Sequence, residues 1–311
     1  MIDNYYSITP QQINYILELN NERNFQRASE KCFVTQPTLS MQIKKVEDLL
    51  GFPIFDRTRI PLEVTKEGEK LIEILRDVQV EYNKITDLVQ RINGNHVEYL
   101  QMAIIPTISA YLVIDVFEHV RREIPELQLS IHELKSEELI EAMENNEYDL
   151  GIMAGPQVSR RMRSIPLYQE EIKIYYPSYP EEVITPQELE QEQPWLLSQG
   201  NCLRTQMVNF CNLGDNNFSS EWNYEGGNME ILTKMVDLNG GYTLVPEFYH
   251  LNHLQLKRIF DPHMKEFPAR QIIGLVPTKS PKMDIIDRFL RIIQGQYNTQ
   301  KRDDFRILNW K

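Results

Sequence analysis

Three cysteines in 311 residues, Cys32, Cys202 and Cys211, are too few to staple a secreted scaffold. In a reducing compartment they must be buried, metal-bound or redox-active. Six histidines, none close to Cys202 or Cys211, offer no four-ligand set for zinc, and no metal or other cofactor is expected. Long apolar runs are lacking as well. Charge interrupts each of them short of the ~18 residues of a membrane span, and Met1-Ile2-Asp3-Asn4 does not open a basic, then apolar leader. A cytoplasmic protein without a membrane partner is expected. Basic charge is also scarce: 33 Lys and Arg against 45 Asp and Glu give a net of -12, which taken whole argues against a polyanionic partner. What is present is 41% hydrophobic and 25% charged residues, enough for real cores in two or three domains.

The acidity is uneven. Residues 1–65 hold seven basic side chains against eight acidic ones, a net of -1 that leaves -11 to the remainder. This first stretch reads as three helices. Pro10 opens one with Ile13, Ile16, Leu17 and Leu19 on a face; Asn24 sits as a cap for a second carrying Phe25, Ala28 and Cys32. Pro37 falls in the first turn of a third, where Leu39, Ile43, Val46 and Leu50 recur until Gly51 stops it. Opposite that apolar row lie Pro37, Thr38, Met41, Lys44 and Lys45, flanked by Ser40 and Gln42. Short hydroxyls and amides of this kind suit base edges, and lysines suit phosphates. Residues 56–64 alternate like a small hairpin, a wing carrying Arg57 and Arg59, and Cys32 reads as packing.

The run Thr35-Gln36-Pro37-Thr38-Leu39-Ser40-Met41-Gln42-Ile43, followed by Glu47, Leu50, Gly51, Phe55, Arg57, Leu62, Thr65 and Gly68, resembles the winged helix-turn-helix signature of LysR-type transcriptional regulators. The resemblance implies that Gln36, Pro37, Thr38, Ser40, Gln42 and Lys45 approach the DNA major groove and that Arg57 belongs to the wing.

Beyond residue 65, Leu71, Leu75, Val78, Tyr82, Ile85, Val89 and Ile92 recur at alternating steps of four and three with no glycine between Gly68 and Gly94. So narrow a seam with polar flanks predicts a linker helix over 66–93 that pairs with a second copy as a coiled coil. Pairing supplies the second DNA half-site that one small module lacks.

From Leu100 onward, short β-like runs (127–131, 150–153, 172–176, 272–276) alternate with helical ones (110–122, 136–145, 228–238, 283–293), which is an α/β pattern. The fold expected for the whole chain is an all-α winged helix-turn-helix domain, a coiled-coil linker helix and an α/β regulatory domain over 94–311. The resemblance implies that this last part is two periplasmic-binding-protein-like subdomains, one of 97–167 with 272–311 and the other of 168–271.

Within Gly200-Asn201-Cys202-Leu203-Arg204-Thr205-Gln206-Met207-Val208-Asn209-Phe210-Cys211, Asn201 is a good helix cap and Cys202 the first helical residue. The positive end of the helix dipole and nearby Arg204 both favour a thiolate there. A continuous helix would hold the two cysteines roughly 13 Å apart, whereas a disulfide needs Cα atoms within about 7 Å. A bond between them therefore requires unwinding.

This segment resembles that of the hydrogen-peroxide-sensing members of the LysR family, as do Ile105-Pro106-Thr107, His132-Glu133, Gly240-Gly241-Tyr242-Thr243-Leu244-Val245-Pro246 and Ile273-Gly274-Leu275-Val276. The resemblance implies that Cys202 is the peroxidatic thiol and Cys211 the resolving one. It places Thr107, Ser136, Asn201 and Arg270, or Gln271 in place of Arg270, around a peroxide pocket. Asn201 stands where those sensors have histidine, so charge support for a thiolate must come from the helix end and arginine. The partners implied are double-stranded DNA, further copies of the chain as dimer or tetramer, hydrogen peroxide and RNA polymerase, in an activator of oxidative-stress genes. The alternative is a LysR-type regulator that binds a small organic effector between the subdomains, with incidental cysteines. A thiol peroxidase conflicts with the DNA-binding module, and no enzymatic activity is expected.

Overall fold

The computed structural model describes residues 7–92, 98–157, 159, 161–190, 192–210, 226–249, 256–263, 265–297 and 302–309. It separates into two units, residues 1–96 and 97–311.

Local signals start and stop each helix of the first unit. The Thr9 hydroxyl accepts the Gln12 amide at 3.2 Å while the Gln12 side chain takes the Thr9 amide, a reciprocal box opening α1 (Pro10–Glu22). Asn24 Oδ1 accepts the Gln26 and Arg27 amides at the head of α2 (Phe25–Lys31). Behind Thr35, α3 (Gln36–Leu50) carries Pro37 in its first turn and ends at Gly51, whose φ of +79° is the left-handed conformation that glycine adopts without strain. The strands β1 (Phe55–Asp56) and β2 (Glu63–Val64) pair antiparallel as the wing. Ile16, Leu19, Leu39, Ile43 and Ile54 are fully buried in the shared core.

The linker helix α4 (Lys66–Ile92) is continuous. Its first turn lies so close to the wing that a Cβ on Gly68 would meet the Ile54 carbonyl oxygen at 2.2 Å, so only glycine fits. Two residues expected in the dimer seam are thereby corrected. Leu75 is buried in the core of its own module and Leu71 packs on the same core, together with Ile72. From Val78 onward, Tyr82, Ile85 and Val89 stand exposed, and Ile74, Leu88 and Ile92 widen the apolar strip.

In the second unit, β3 (Glu98–Ile104) lies parallel to β4 (Leu127–Glu133) on one side and β5 (Leu150–Gly155) on the other. The helices α5 (Pro106–Glu123) and α6 (Ser136–Glu144) are the crossovers between them. Two long antiparallel strands then span the unit, β6 (Met162–Tyr175) and β10 (Phe267–Pro277). Their outer ends join β5 and the first core, where α10 (Met283–Gln296) packs. The other end of β6 pairs with β8 (Thr243–Pro246) and β9 (Leu256–Ile259), with β7 (Val183–Ile184) beyond β9. With α7 (Pro186–Leu189), α8 (Cys202–Phe210) and α9 (Met229–Asn239), these strands enclose a second core. The architecture is thus a winged helix-turn-helix module followed by an α/β region of two subdomains. The C-terminal stretch, expected in the first subdomain, belongs to the second: β11 (Phe305–Ile307) runs parallel to Phe267–Ala269 and Leu308 enters the second core.

Candidate functional site

Where the chain passes between the two cores, β6 and β10 set Glu170 directly opposite Arg270, beside a register shift at Ile272/Ile273. Both side chains are fully buried. The Arg270 guanidinium donates through Nε to Glu170 Oε1, through Nη1 to Thr107 Oγ1 at 2.8 Å and through Nη2 to the Thr107 carbonyl at 3.1 Å. Thr107 stands in the first turn of α5, following Pro106. The other oxygen of Glu170 accepts from Tyr111 Oη at 2.8 Å, and that hydroxyl meets Tyr168 Oη at 2.7 Å. Tyr168 stacks on Tyr297, and Phe248 packs against both.

Cys202 is the first residue of α8, a free thiol only 2% exposed, and it packs with the first core rather than the second. Burial works against the Arg270 charge, but Glu170, Tyr111 and Cys202 together hold the guanidinium above its usual range. Burial and the Glu170 carboxylate likewise drive both tyrosines well up, so they act as neutral O–H groups. Burial also pushes Glu170 up, against the pull of Arg270 and Tyr111.

The structure brings Thr107, Arg270 and Cys202 into one electrostatic neighbourhood. Gln271 is turned away, donating to the Tyr168 and Ile272 carbonyls. Ser136, at the head of α6, is 1% exposed and its Oγ has no hydrogen-bond partner among the described residues. The Lys135 side chain beside it lies against Gly200. Asn201 does not cap α8 with its side chain. Its amide donates back to Ser198 O and Oγ, both at 3.0 Å, and the Arg204 amide bonds instead to the Asn201 carbonyl. Arg204, expected to support the thiol, donates to the Leu197 carbonyl at 2.9 Å. Cys211 lies outside the described residues. Sequence reasoning missed Glu170 and Tyr111.

On the first module, Gln36, Pro37, Met41, Lys44 and Lys45 are exposed along α3. Thr38 shares a hydrogen bond with the capping Thr35 hydroxyl, and Gln42 accepts from Gln12 of α1 at 3.1 Å. Arg57 is held inward from the wing: its guanidinium bonds Ser40 Oγ at 3.2 Å and Glu47 at 2.9 Å and lies over the Phe25 ring. The other carboxylate oxygen of buried Glu47 accepts the Ile54 and Phe55 amides, so Glu47 pins the wing to α3.

No described helix is long and apolar enough to cross a membrane. Two families match the chain: the bacterial regulatory helix-turn-helix proteins of the lysR family over residues 10–69, and the LysR substrate binding domain over residues 94–297. The hydrogen peroxide-inducible genes activator of Haemophilus influenzae is 26% identical over 289 residues, 91% of this chain and 95% of that protein. The HTH-type transcriptional regulator EstR of Acinetobacter baylyi is 26% identical over the same shares of each. A full-length OxyR of Pseudomonas aeruginosa, with one cysteine replaced by aspartate, matches 94% of this chain and all of that one with a TM-score of 0.71 and 25% identity. By both halves of its sequence, and by a fold it shares with OxyR, the chain belongs to the LysR family of transcriptional regulators.

Proposed function

We propose that this LysR-family regulator binds promoter DNA as a dimer or tetramer, acts there on RNA polymerase, and responds to hydrogen peroxide through reversible Cys202–Cys211 disulfide formation. The observation that carries the reading is the placement of a buried free thiol at the head of α8, in the electrostatic reach of an arginine fixed by Thr107. The Cys202 thiolate attacks one peroxide oxygen; the O–O bond breaks, an S–O bond forms, and the departing hydroxide takes a proton to leave as water. Arg270 and the hydroxyls of Thr107 and Ser136 are the donors available to that oxygen. Cys211 sulfur then attacks the sulfenic acid and a second water leaves, so two thiols and one peroxide yield one disulfide and two waters. Closing the bond unwinds α8, and the two redox states thereby select two local folds.

Treating the reduced protein with stoichiometric peroxide, mapping thiols by mass spectrometry and footprinting the DNA complex tests this. A 202–211 linkage with a changed footprint is expected; no linkage, or a linkage without a change, sinks the reading.

The relation to EstR, an HTH-type transcriptional regulator by name, keeps a second reading in play, a small organic effector bound between the subdomains, with incidental cysteines. Replacing Cys202 by serine separates the readings: it abolishes a peroxide response and spares an effector response.

A further inference from the structure

We infer that Arg57 is a positioning residue for DNA recognition: braced between Glu47 and Ser40, it ties the wing to the reading helix α3 and aims the Ser40 hydroxyl at the duplex, acting through Ser40 and not through a phosphate contact of its own. The inference rests on the DNA-binding function of the family and is independent of the chemistry of Cys202.

Three contacts fix the guanidinium. Nη2 donates to Glu47 Oε2 at 2.9 Å, Nη1 donates to Ser40 Oγ at 3.2 Å, and the group lies 5.2 Å from the centroid of the Phe25 ring. The wing, α3 and α2 therefore meet on one side chain. Its anchor is itself held, since Glu47 is buried and its Oε1 accepts the Ile54 amide at 2.9 Å and the Phe55 amide at 3.3 Å. A guanidinium answered at 2.9 Å by a buried carboxylate presents a phosphate with the difference of two nearby charges and not with a whole one. Arg59 is the contrast: 64% exposed, it comes no nearer than 3.9 Å to the Asp56 carboxylate.

Ser40 is the link to the duplex. It stands three or four residues from Gln36, Pro37 and Lys44 along α3 and so shares their face. Its oxygen accepts from Arg57, and among the described residues its own hydrogen has no acceptor. A hydroxyl has one hydrogen and two lone pairs. With a cationic N–H on one lone pair, the hydrogen turns away from Arg57, and the positive charge beside it opposes an approaching donor. Ser40 held in this way is a hydrogen-bond donor, suited to acceptor edges such as guanine O6 and N7 or thymine O4 and unsuited to the amino groups of adenine and cytosine.

The experiment uses the full chain, a duplex that it selects from a random pool and a scrambled duplex, and measures both affinities between about 50 and 200 mM salt. Arg57→Gln removes the charge; Arg57→Lys keeps the charge and loses the fork that holds two partners at once. Each should lower the ratio of selected to scrambled affinity by about tenfold, the scale of one lost base contact, with the salt slope unchanged. A slope shallower by about 0.9 for each module, with the ratio kept, marks a direct phosphate contact and overturns the proposal. An Arg57→Lys chain that matches the wild type overturns it as well. So does a parallel fall in both affinities, which is what a merely loosened module gives.

Ser40→Ala should cost the same factor, and adding it to Arg57→Lys should cost nothing further, because the arginine acts through the hydroxyl. Losses that multiply overturn the proposal. If neither Arg57 variant folds, Ser40→Ala decides alone, since it leaves Glu47 and the module core untouched: a lowered ratio is expected and an unchanged one overturns the inference. A wild-type chain that selects no duplex sinks the DNA-binding reading and this inference together, whereas each of the other adverse results sinks the inference alone.

Discussion

Cys32 and Cys202 are both sheltered thiols, yet their electrostatic company is opposite. At the C-terminal end of α2, burial and the nearby Glu18 carboxylate push the Cys32 thiol up to about 11, with one weak contact from the Asn14 amide at 3.9 Å. Its thiolate appears only as pH climbs toward that value. At pH 7.5 Cys32 should therefore alkylate about two orders of magnitude more slowly than a free peptide thiol of pKa ~8.5. Peptide mass spectrometry after timed iodoacetamide exposure checks this, and labelling at the free-thiol rate contradicts it. The packing role of Cys32 was legible in sequence because it shares a face with Phe25 and Ala28. Glu170 was not: Gln169-Glu170-Glu171 reads as a polar patch, and its meaning comes from a strand partner 100 residues away. Asn201 shows a second limit. A good capping residue stood where expected, but Ser198 offered its side chain two acceptors and won the competition.

Among the elements, α4 has two tasks divided along its length. Its first three turns present Ile72 and Leu75 to the module core, and from Val78 onward Val78, Tyr82, Ile85, Leu88, Val89 and Ile92 face outward. The heptad spacing is continuous across the division, because periodicity fixes which residues share a face and says nothing of what covers that face. Substitutions separate the two tasks. Ile85, 58% exposed, can take a charge without disturbing its own module. Ile85→Glu should weaken dimers and DNA binding together at unchanged melting temperature of the module, measured by analytical ultracentrifugation and a DNA titration. Leu75→Ala should instead cost the module about 2–5 kcal/mol, read from its chemical denaturation midpoint. If dimers and DNA binding survive Ile85→Glu, the exposed strip is not the pairing face. Helix ends in this module were legible for a simple reason: Pro10, Asn24, Pro37 and Gly51 act locally along the chain, and the structure adds the capping hydroxyls of Thr9 and Thr35 just ahead of the two prolines. The C-terminal strand β11 was not, since three residues of it add to an edge supplied by Phe267–Ala269.

For the molecule as a whole, a net charge of -12 and a DNA-binding function are reconciled by where the charge sits. The first 65 residues are near neutral, and several of their cations are already engaged: Arg57 with Glu47 at 2.9 Å, Lys44 with Asp48 at 2.9 Å, Lys31 with Glu22 at 2.6 Å. Lys45 on α3 and Arg59 on the wing are exposed toward solvent. Two or three phosphate contacts for each module give a dimer about four to six, and each neutralised phosphate contributes roughly -0.9 to the slope of log affinity against log salt. The slope should therefore lie near -4 to -5, so that going from 50 to 200 mM salt weakens binding by roughly 250- to 1,000-fold. Proteins that lean on phosphate charge show slopes near -10. A slope that steep here would mean that basic side chains outside α3 and the wing reach the duplex. A slope near -4 to -5 instead leaves the choice of site to base-edge contacts from Gln36, Thr38 and their neighbours and to the spacing that pairing along α4 imposes. Because the acidic remainder of the chain repels the same polyanion in either mode, it lowers specific and non-specific affinity alike, and the ratio of the two is left to the base-edge contacts. Titrating a promoter fragment and a scrambled duplex side by side across the salt series measures that ratio directly.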